Sequence, residues 1–483
     1  MSLWDAFEEY LKINKFALWL LLFYALLISF RWIKLRISAK RLFWIALAVG
    51  VLLRLLWIGF SSHQPQTAWQ PNSMEADWIN IHAIDLTKGV WFQTEQGVPA
   101  GRRPIGYPML LGLAYKIFGV HDPVVWGLQL ALFIAAFFLI FKIGTEIFES
   151  KAALWAAFLF AVYPISIFSA KLITDEHLFL PLWYFGIWLL LRELNGKPVK
   201  WPLLWYGVIF GYATMTRTHS IFMPVVVAWV ALRLKKNLRA AALAGVLTLL
   251  GMQLINAPWI LRNYKAWGAP VLYVPVSCFM YAQVNSTAVA EEGKGRLPVL
   301  GDPGYNPEIQ KAQLEGKEAL ASQLCSQEMR KWILSHPGDF IYMGLRRLLV
   351  FMNWNRDAGV WPLWFQYIDG HYDPARPLEN PLKEILENSA FVSYYIVLHS
   401  FLFALAAFAF GWKKLPQKTR DGILLLGLCL GFWMSEHLII YADRKYRFPL
   451  EPLMIIFAST FLAKLPGFDF TAFKSRFLKA GKS

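Results

Sequence analysis

Charge is scarce in this sequence. Asp, Glu, Lys and Arg make up only 17% of its 483 residues, against 57% hydrophobic residues. A soluble domain of that length needs about a quarter of its residues charged to cover its surface. An ordinary soluble globule is therefore excluded. Cysteine is scarcer still, with 3 in the chain. There is no zinc-ligand spacing, no Walker loop, no dinucleotide fingerprint and no internal repeat. These absences leave out a zinc module, a P-loop or Rossmann nucleotide enzyme, and a solenoid.

What is abundant is apolar and aromatic. The chain has 23 Trp and 37 Phe, and Trp and Tyr favour the edges of a bilayer, where a ring is half wet. A membrane span needs about 20 mostly apolar residues. Runs of that kind lie at 14–33, 42–60, 123–146, 151–170, 177–193, 202–216, 219–234, 240–260, 390–411, 421–441 and 448–464. The expectation is an all-α polytopic membrane protein with about 11 transmembrane helices. Arg217 and His219 interrupt 202–234, which reads as two short spans joined by a tight polar turn. The first run reads as a retained anchor. Its leader carries Asp5, Glu8 and Glu9 where a signal peptide is basic, its core is too long, and no small-residue cleavage site follows.

A net charge of +16 would suit nucleic acid if it were clustered on one surface. Instead the basic residues bracket the spans, and short cytoplasmic loops collect Lys and Arg. Lys34, Arg36, Lys40 and Arg41 lie in one connector, Lys235, Lys236 and Arg239 in another, and Lys413, Lys414, Lys418 and Arg420 in a third. Lys474, Arg476, Lys479 and Lys482 lie in the tail. All can be cytoplasmic in one alternating topology, with the N-terminus outside and the C-terminus inside. The bilayer is then a partner and nucleic acid is not.

That topology divides the chain. Residues 1–41 form an N-terminal anchor and basic cytoplasmic connector. Residues 42–260 form a transmembrane core that includes an external loop, 61–122. Residues 262–389, rich in Gly, Pro, Asn and charge, read as a small external domain, and 390–483 return to the membrane and end in a basic tail. The stretches 104–118 and 340–353 have an apolar face and read as interfacial helices. Cys278 and Cys325 both fall outside, where an oxidising compartment allows a bridge. Paired and unpaired thiols both stay open.

Nearly every ionisable residue near membrane depth falls on the external side. Glu75 and Asp77 follow the second span, and Asp175, Glu176 and His177 stand at the mouth of another. Arg217 and His219 form a hairpin tip, Arg262 follows Pro-Trp-Ile-Leu, and Glu436, His437, Asp443, Arg444, Lys445 and Arg447 close a late span. Such residues cost several kcal/mol in lipid unless they face a cavity or partner, which marks them as functional. Arg54, inside a span, is expected to face the bundle and an acid of this set. Carboxylates can take a proton from an attacking hydroxyl or amine, and arginines clamp phosphate. A phosphate at a lipid boundary suggests group transfer from a lipid-phosphate donor.

The order of motifs resembles the GT-C superfamily of polyprenyl-phosphate-sugar-dependent glycosyltransferases. The relatives it is most similar to are the protein O-mannosyltransferases and the aminoarabinose transferase that modifies lipid A. The resemblance runs from about residue 42 to 464. It rests on Glu-Ala-Asp-Trp-Ile-Asn-Ile-His-Ala (75–83), Arg-Pro-Ile-Gly-Tyr-Pro (103–108) with Ile-Phe-Gly (117–119), and Tyr-Pro (163–164) with Asp-Glu (175–176). It continues through Gly-Tyr-Ala-Thr-Met-Thr-Arg (211–217), Ala-Pro-Trp-Ile-Leu-Arg-Asn-Tyr (257–264) and Asp-Arg-Lys-Tyr-Arg-Phe-Pro-Leu-Glu-Pro (443–452).

The resemblance implies inverting transfer of a sugar, from an undecaprenyl-type donor, on the periplasmic side of a bacterial inner membrane. Asp77 aligns with the acid that activates the acceptor, with Glu75 sharing that role or binding a divalent metal. Asp175 and Glu176 match a second acidic pair, and Arg217, Arg262, Arg444 and Arg447 would hold the donor phosphate. His219 and His437 join Glu75 as candidate metal ligands. Relatives that modify proteins carry adjacent Asp-Glu where this chain has Glu-Ala-Asp, so the acceptor stays open among lipid, glycan and protein of the cell envelope. The competing expectation is a transporter or flippase for a lipid-linked saccharide. The missing repeat and the gathering of polar residues at one interface count against it.

Overall fold

A computed structural model describes residues 38–60, 76–93, 103–268, 270, 272, 276–284, 297–302, 304–315, 317–352, 381–439 and 444–464. Among them the regular structure is helical, with no strand. In chain order the helices are α1 (Ala39–Phe60), α2 (Ala76–Thr87), α3 (Gly106–Phe118), α4 (Asp122–Ile147), α5 (Ser150–Ala161), α6 (Pro164–Phe168) and α7 (Glu176–Leu194). Next are α8 (Pro202–Thr216), α9 (Met223–Lys235), α10 (Leu238–Trp267), α11 (Val276–Val284), α12 (Pro307–Leu314), α13 (Glu318–Ser335) and α14 (Pro337–Met352). The last are α15 (Pro381–Gly411), α16 (Gln417–Glu436) and α17 (Glu451–Lys464).

Among the described residues five helical stretches are long and apolar enough to cross a membrane: Ala39–Gly59, Asp122–Ile147, Thr218–Lys235, Leu238–Trp267 and Asn388–Lys414. Their outward faces fit that use. Leu52, Leu55 and Leu56 on α1 and Leu243, Leu250 and Leu254 on α10 are exposed, an arrangement that water penalises and hydrocarbon does not. A sixth candidate, Ser150–Ala161 with Pro164–Lys171, is bent by 47°. The bend falls at Pro164, which cannot donate a hydrogen bond within a helix and forces a break. The expected span 14–33 lies outside the described residues.

Helices in lipid gain nothing by hiding apolar surface from one another, so close backbone packing matters more. Small residues supply it here. A Cβ on Gly207 of α8 would sit 2.9 Å from the Cα of Gly251 on α10. One on Gly50 of α1 would sit 2.9 Å from the Cβ of Ala161 on α5. Large aromatics such as Phe137, Phe160, Tyr184 and Trp433 fill the remaining core.

Several boundaries differ from the apolar runs. α10 continues through Arg262 to Trp267, and α15 begins at Pro381. Both overrun the expected edges of the external domain, because hydropathy marks hydrocarbon depth and a helix need not stop there. Within that region α11 and α13 are joined by a Cys278–Cys325 disulfide. The stretches expected to lie at the interface form α3 and α14. Arg54 faces the bundle as expected, but its partners are the carbonyls of Gly50 and Ala161 and the hydroxyl of Ser166, not an acid. Its guanidinium also lies 3.3 Å from the centre of the Phe133 ring.

Candidate functional site

Chain reversal sets the geometry of the first wall. α7 begins with Glu176 and α8 ends at Thr216, so antiparallel packing puts Glu176 beside Arg217. The two form an ion pair, Glu176 fully buried and Arg217 6% exposed. Asp175 stands at the N-cap of α7, but its side chain does not cap the helix. The Arg217 guanidinium lies 5.3 Å from the centre of the Tyr446 ring, in the 3₁₀ turn Arg444–Leu450. Beyond it, His219 stacks on Trp433 with ring centres 3.9 Å apart, and its Nε2 is 3.5 Å from Glu436 Oε2. His437 stacks on Phe351 at 4.3 Å. Arg447 donates to Glu451 at 2.9 Å and to the carbonyl of Phe351 at 2.9 Å, lying over Tyr394.

The second wall is built from α2 and the end of α10. Arg262 donates to the Phe92 carbonyl at 2.6 Å and to Asn263 Oδ1 at 3.0 Å. Its guanidinium lies 4.6 Å from the centre of the Trp259 ring and 5.1 Å from that of Trp267. Phe92 is fully buried and has a φ of 46°. A bulky residue pays for that left-handed conformation unless its surroundings hold it. Here Trp259 packs on the ring and Arg262 grips the carbonyl. Trp78 and His82 of α2 close the cluster around Phe92. Burial, with Arg262 nearby, pushes the pKa of His82 down to about 4. His82 is therefore neutral at pH 7, and its 3.9 Å approach to Asp85 is not an ion pair there.

α3 joins the two walls. Its first residue, Gly106, packs so tightly on Thr216 that a side chain would collide with it. Tyr212 donates to the Gly106 carbonyl at 2.9 Å. On the other side, Tyr115 of α3 donates to Asn80 of α2 at 2.7 Å. The helices of the first loop are thereby held beside Arg217 and Arg262.

The expected site residues divide accordingly. Asp175, Glu176, Arg217, Arg262 and Arg447, with His219 and His437, all stand at this end of the bundle. Arg217 and Arg447 are committed to carboxylates, whereas Arg262 is gripped by neutral groups. Asp77 stands in the first turn of α2, with its side chain outside the described residues; Glu75 and the side chain of Arg444 also lie outside them. Among the described residues no three His, Cys, Asp or Glu side chains gather to hold a metal ion. Sequence reading missed Glu451 as the partner of Arg447, although their four-residue spacing on a turn leading into a helix was available as a signal. It also missed Trp433 and Tyr446, whose roles depend on tertiary packing alone.

Residues 102–260 match the family described as dolichyl-phosphate-mannose-protein mannosyltransferase. That segment is about a third of the chain and runs from just before α3 through most of α10. It contains three of the motifs on which the resemblance rests and the start of a fourth. The matched segment lies within the region whose motifs resemble the GT-C glycosyltransferases. No curated protein sequence matches. Among solved structures, the apo oligosaccharyltransferase of Archaeoglobus fulgidus aligns with a TM-score of 0.49 and 14% identity, over 89% of this chain and 50% of that one. AglB from the same organism, in complex with an inhibitory peptide and a dolichol-phosphate, aligns at 0.45 and 11%, over 88% and 50%. ArnT from Cupriavidus metallidurans, bound to undecaprenyl phosphate, aligns at 0.41 and 12%, over 82% and 76%. The chain spans about half the length of the archaeal enzymes it aligns with.

Proposed function

We propose that this chain is an integral membrane glycosyltransferase of about 11 spans that moves a sugar from a polyprenyl-phosphate donor to an acceptor on the periplasmic face, with inversion. The observation that carries this reading is a convergence. The acidic pair Asp175-Glu176 and Arg217 belong to the segment matching the mannosyltransferase family, and Arg262 lies two residues beyond its end. All stand at the same end of the bundle as the start of α2, where Asp77 sits. The basic connectors support placing that end outside, and the Cys278–Cys325 disulfide suits an oxidising compartment.

In this mechanism Asp77 takes the proton from the acceptor hydroxyl or amine. The freed oxygen or nitrogen attacks the anomeric carbon from the face opposite the phosphate. The bond from that carbon to the phosphate oxygen breaks, and polyprenyl phosphate departs with one more negative charge. Preorganised cations stabilise charge as it develops. Arg262 and Arg444 fit that task best, because Arg217 and Arg447 already answer Glu176 and Glu451. Glu176 and Arg217 then act as a rigid support under the acceptor, and Asp175 and Glu75 complete the acidic rim. The described residues offer no three-ligand metal site, and no step here runs through a metal.

Purified protein, supplied with a polyprenyl-phosphate sugar and an envelope acceptor extract, tests the reading. A glycosylated product with the anomeric configuration reversed by NMR is expected. Product with retained configuration removes the single-displacement step, and movement of the lipid-linked sugar across proteoliposomes without any covalent product removes the enzyme reading.

A further inference from the structure

One cavity has no part in the cluster above. It is a groove of about 470 Å³ walled only by α4 and α7. Its lining is apolar, from Leu132, Ala135 and Phe138 on α4 to Leu178, Leu182 and Phe185 on α7. Pro181 stands in its wall, inside α7, where it removes a helix hydrogen bond and disturbs the preceding turn. Since α4 is long and apolar enough to span a membrane, a groove on its flank faces hydrocarbon.

One end of the groove is different. Lys142 lines it, with its ammonium 4.5 Å from the centre of the Trp188 ring. Arg192 lies 5.1 Å from the centre of the same ring. Neither cation reaches a carboxylate among the described residues. This is the end of α4 and α7 far from Glu176, where Lys and Arg can extend towards a headgroup layer while their stems stay in hydrocarbon. The depth also fits. From Leu132 to Lys142 on α4, and from Leu178 to Trp188 on α7, each helix advances ten steps, about 15 Å. That is half of a hydrocarbon core about 30 Å thick.

We propose that this groove binds an anionic phospholipid of the leaflet opposite the catalytic end. One acyl chain lies between α4 and α7, and the phosphodiester sits against Lys142 and Arg192 with Trp188 beneath it. A one-leaflet apolar groove ending in two cations matches the charge and length of such a lipid. The donor's polyprenyl phosphate would place its phosphate at the other end, by the catalytic residues.

The test uses the full-length protein in nanodiscs with phosphatidylglycerol carrying a photoactivatable diazirine in its acyl chain, and phosphatidylcholine with the same chain as control. Crosslinks mapped by mass spectrometry are expected on Ala135, Phe138, Leu182 and Phe185, at least tenfold more from phosphatidylglycerol. K142E/R192E should abolish that preference, and L182W should abolish groove crosslinks from both lipids. Thermal melts confirm that each variant is folded, and if L182W is not, the charge variant alone decides. Equal labelling by the two lipids overturns the proposal, as does a preference that survives K142E/R192E. Displacement of the probe by polyprenyl phosphate equally from wild type and K142E/R192E would assign the groove to the donor's tail instead. A disulfide from Leu182→Cys to a cysteine placed within residues 14–33 would assign it to the chain's own first apolar run.

Discussion

The stretch Thr218–Lys235 and α16 packed beside it show the contrast between the two ends of the bundle. At one end Arg233 and Asp421 approach to 2.5 Å, with side chains 40% and 13% exposed. At the other, about 22 Å along α16 by helical rise, Glu436 faces His219 with both nearly buried. Beside them lie Glu176–Arg217 and Arg447–Glu451, the latter pair 0% and 1% exposed. Solvated pairs contribute little because water competes for both charges. Buried pairs are costly to assemble and still more costly to break, since the survivor is left charged in a poor solvent. A bundle held together only by packing would not need such groups, and the proposed function places the chemistry at the end where they gather.

The contrast can be broken most forcefully at Arg447. Glu451→Leu leaves that guanidinium buried without its carboxylate, and should lower stability by about 3–5 kcal/mol, read as loss of folded protein in detergent melts. Arg447→Met with Glu451→Leu should recover much of that loss. Equal damage from single and double variants would contradict the pairing.

His82 sharpens the contrast through pH. Its folded pKa, about 4, lies below the unfolded value near 6.5. Between these values the unfolded chain binds more protons, so stability rises with pH. The stabilisation is full above pH 6.5 and is lost as pH falls towards 4. Melts of wild type and His82→Phe should therefore run parallel above pH 7 and converge or cross below 6. A constant gap down to pH 4 would refute the burial of a neutral imidazole.

The smallest effect is expected at the solvated end. Asp421→Asn should change stability by less than about 1 kcal/mol and leave activity unaltered. A loss as large as that of Glu451→Leu would erase the difference between the ends.

Much of this was legible in the sequence, for reasons that also explain the rest. Lipid forces long apolar runs, so α1, α4, α10 and α15 could be read directly. Basic connectors gave an expected orientation, with the buried-charge end outside. The acidic pair at 175–176 was visible, but its partner Arg217 lies 41 residues away, and only the antiparallel packing of α7 and α8 brings them together. Arg54 was legible as bundle-facing. Its partners were not, because the carbonyls that satisfy it carry no sequence signature. The Cys278–Cys325 bond was left open for a similar reason: two cysteines on one side of a membrane state an opportunity, and only tertiary packing of α11 on α13 decides it.

The central claim is that chemistry belongs to the buried-charge end and begins at Asp77. Turnover of a polyprenyl-phosphate sugar by Asp77→Asn, with folding verified by melting, tests it most directly against Asp421→Asn as the control from the other end. Loss of a general base should slow turnover by about 10²–10⁴-fold, with the control near wild type. Full turnover by folded Asp77→Asn would contradict the account.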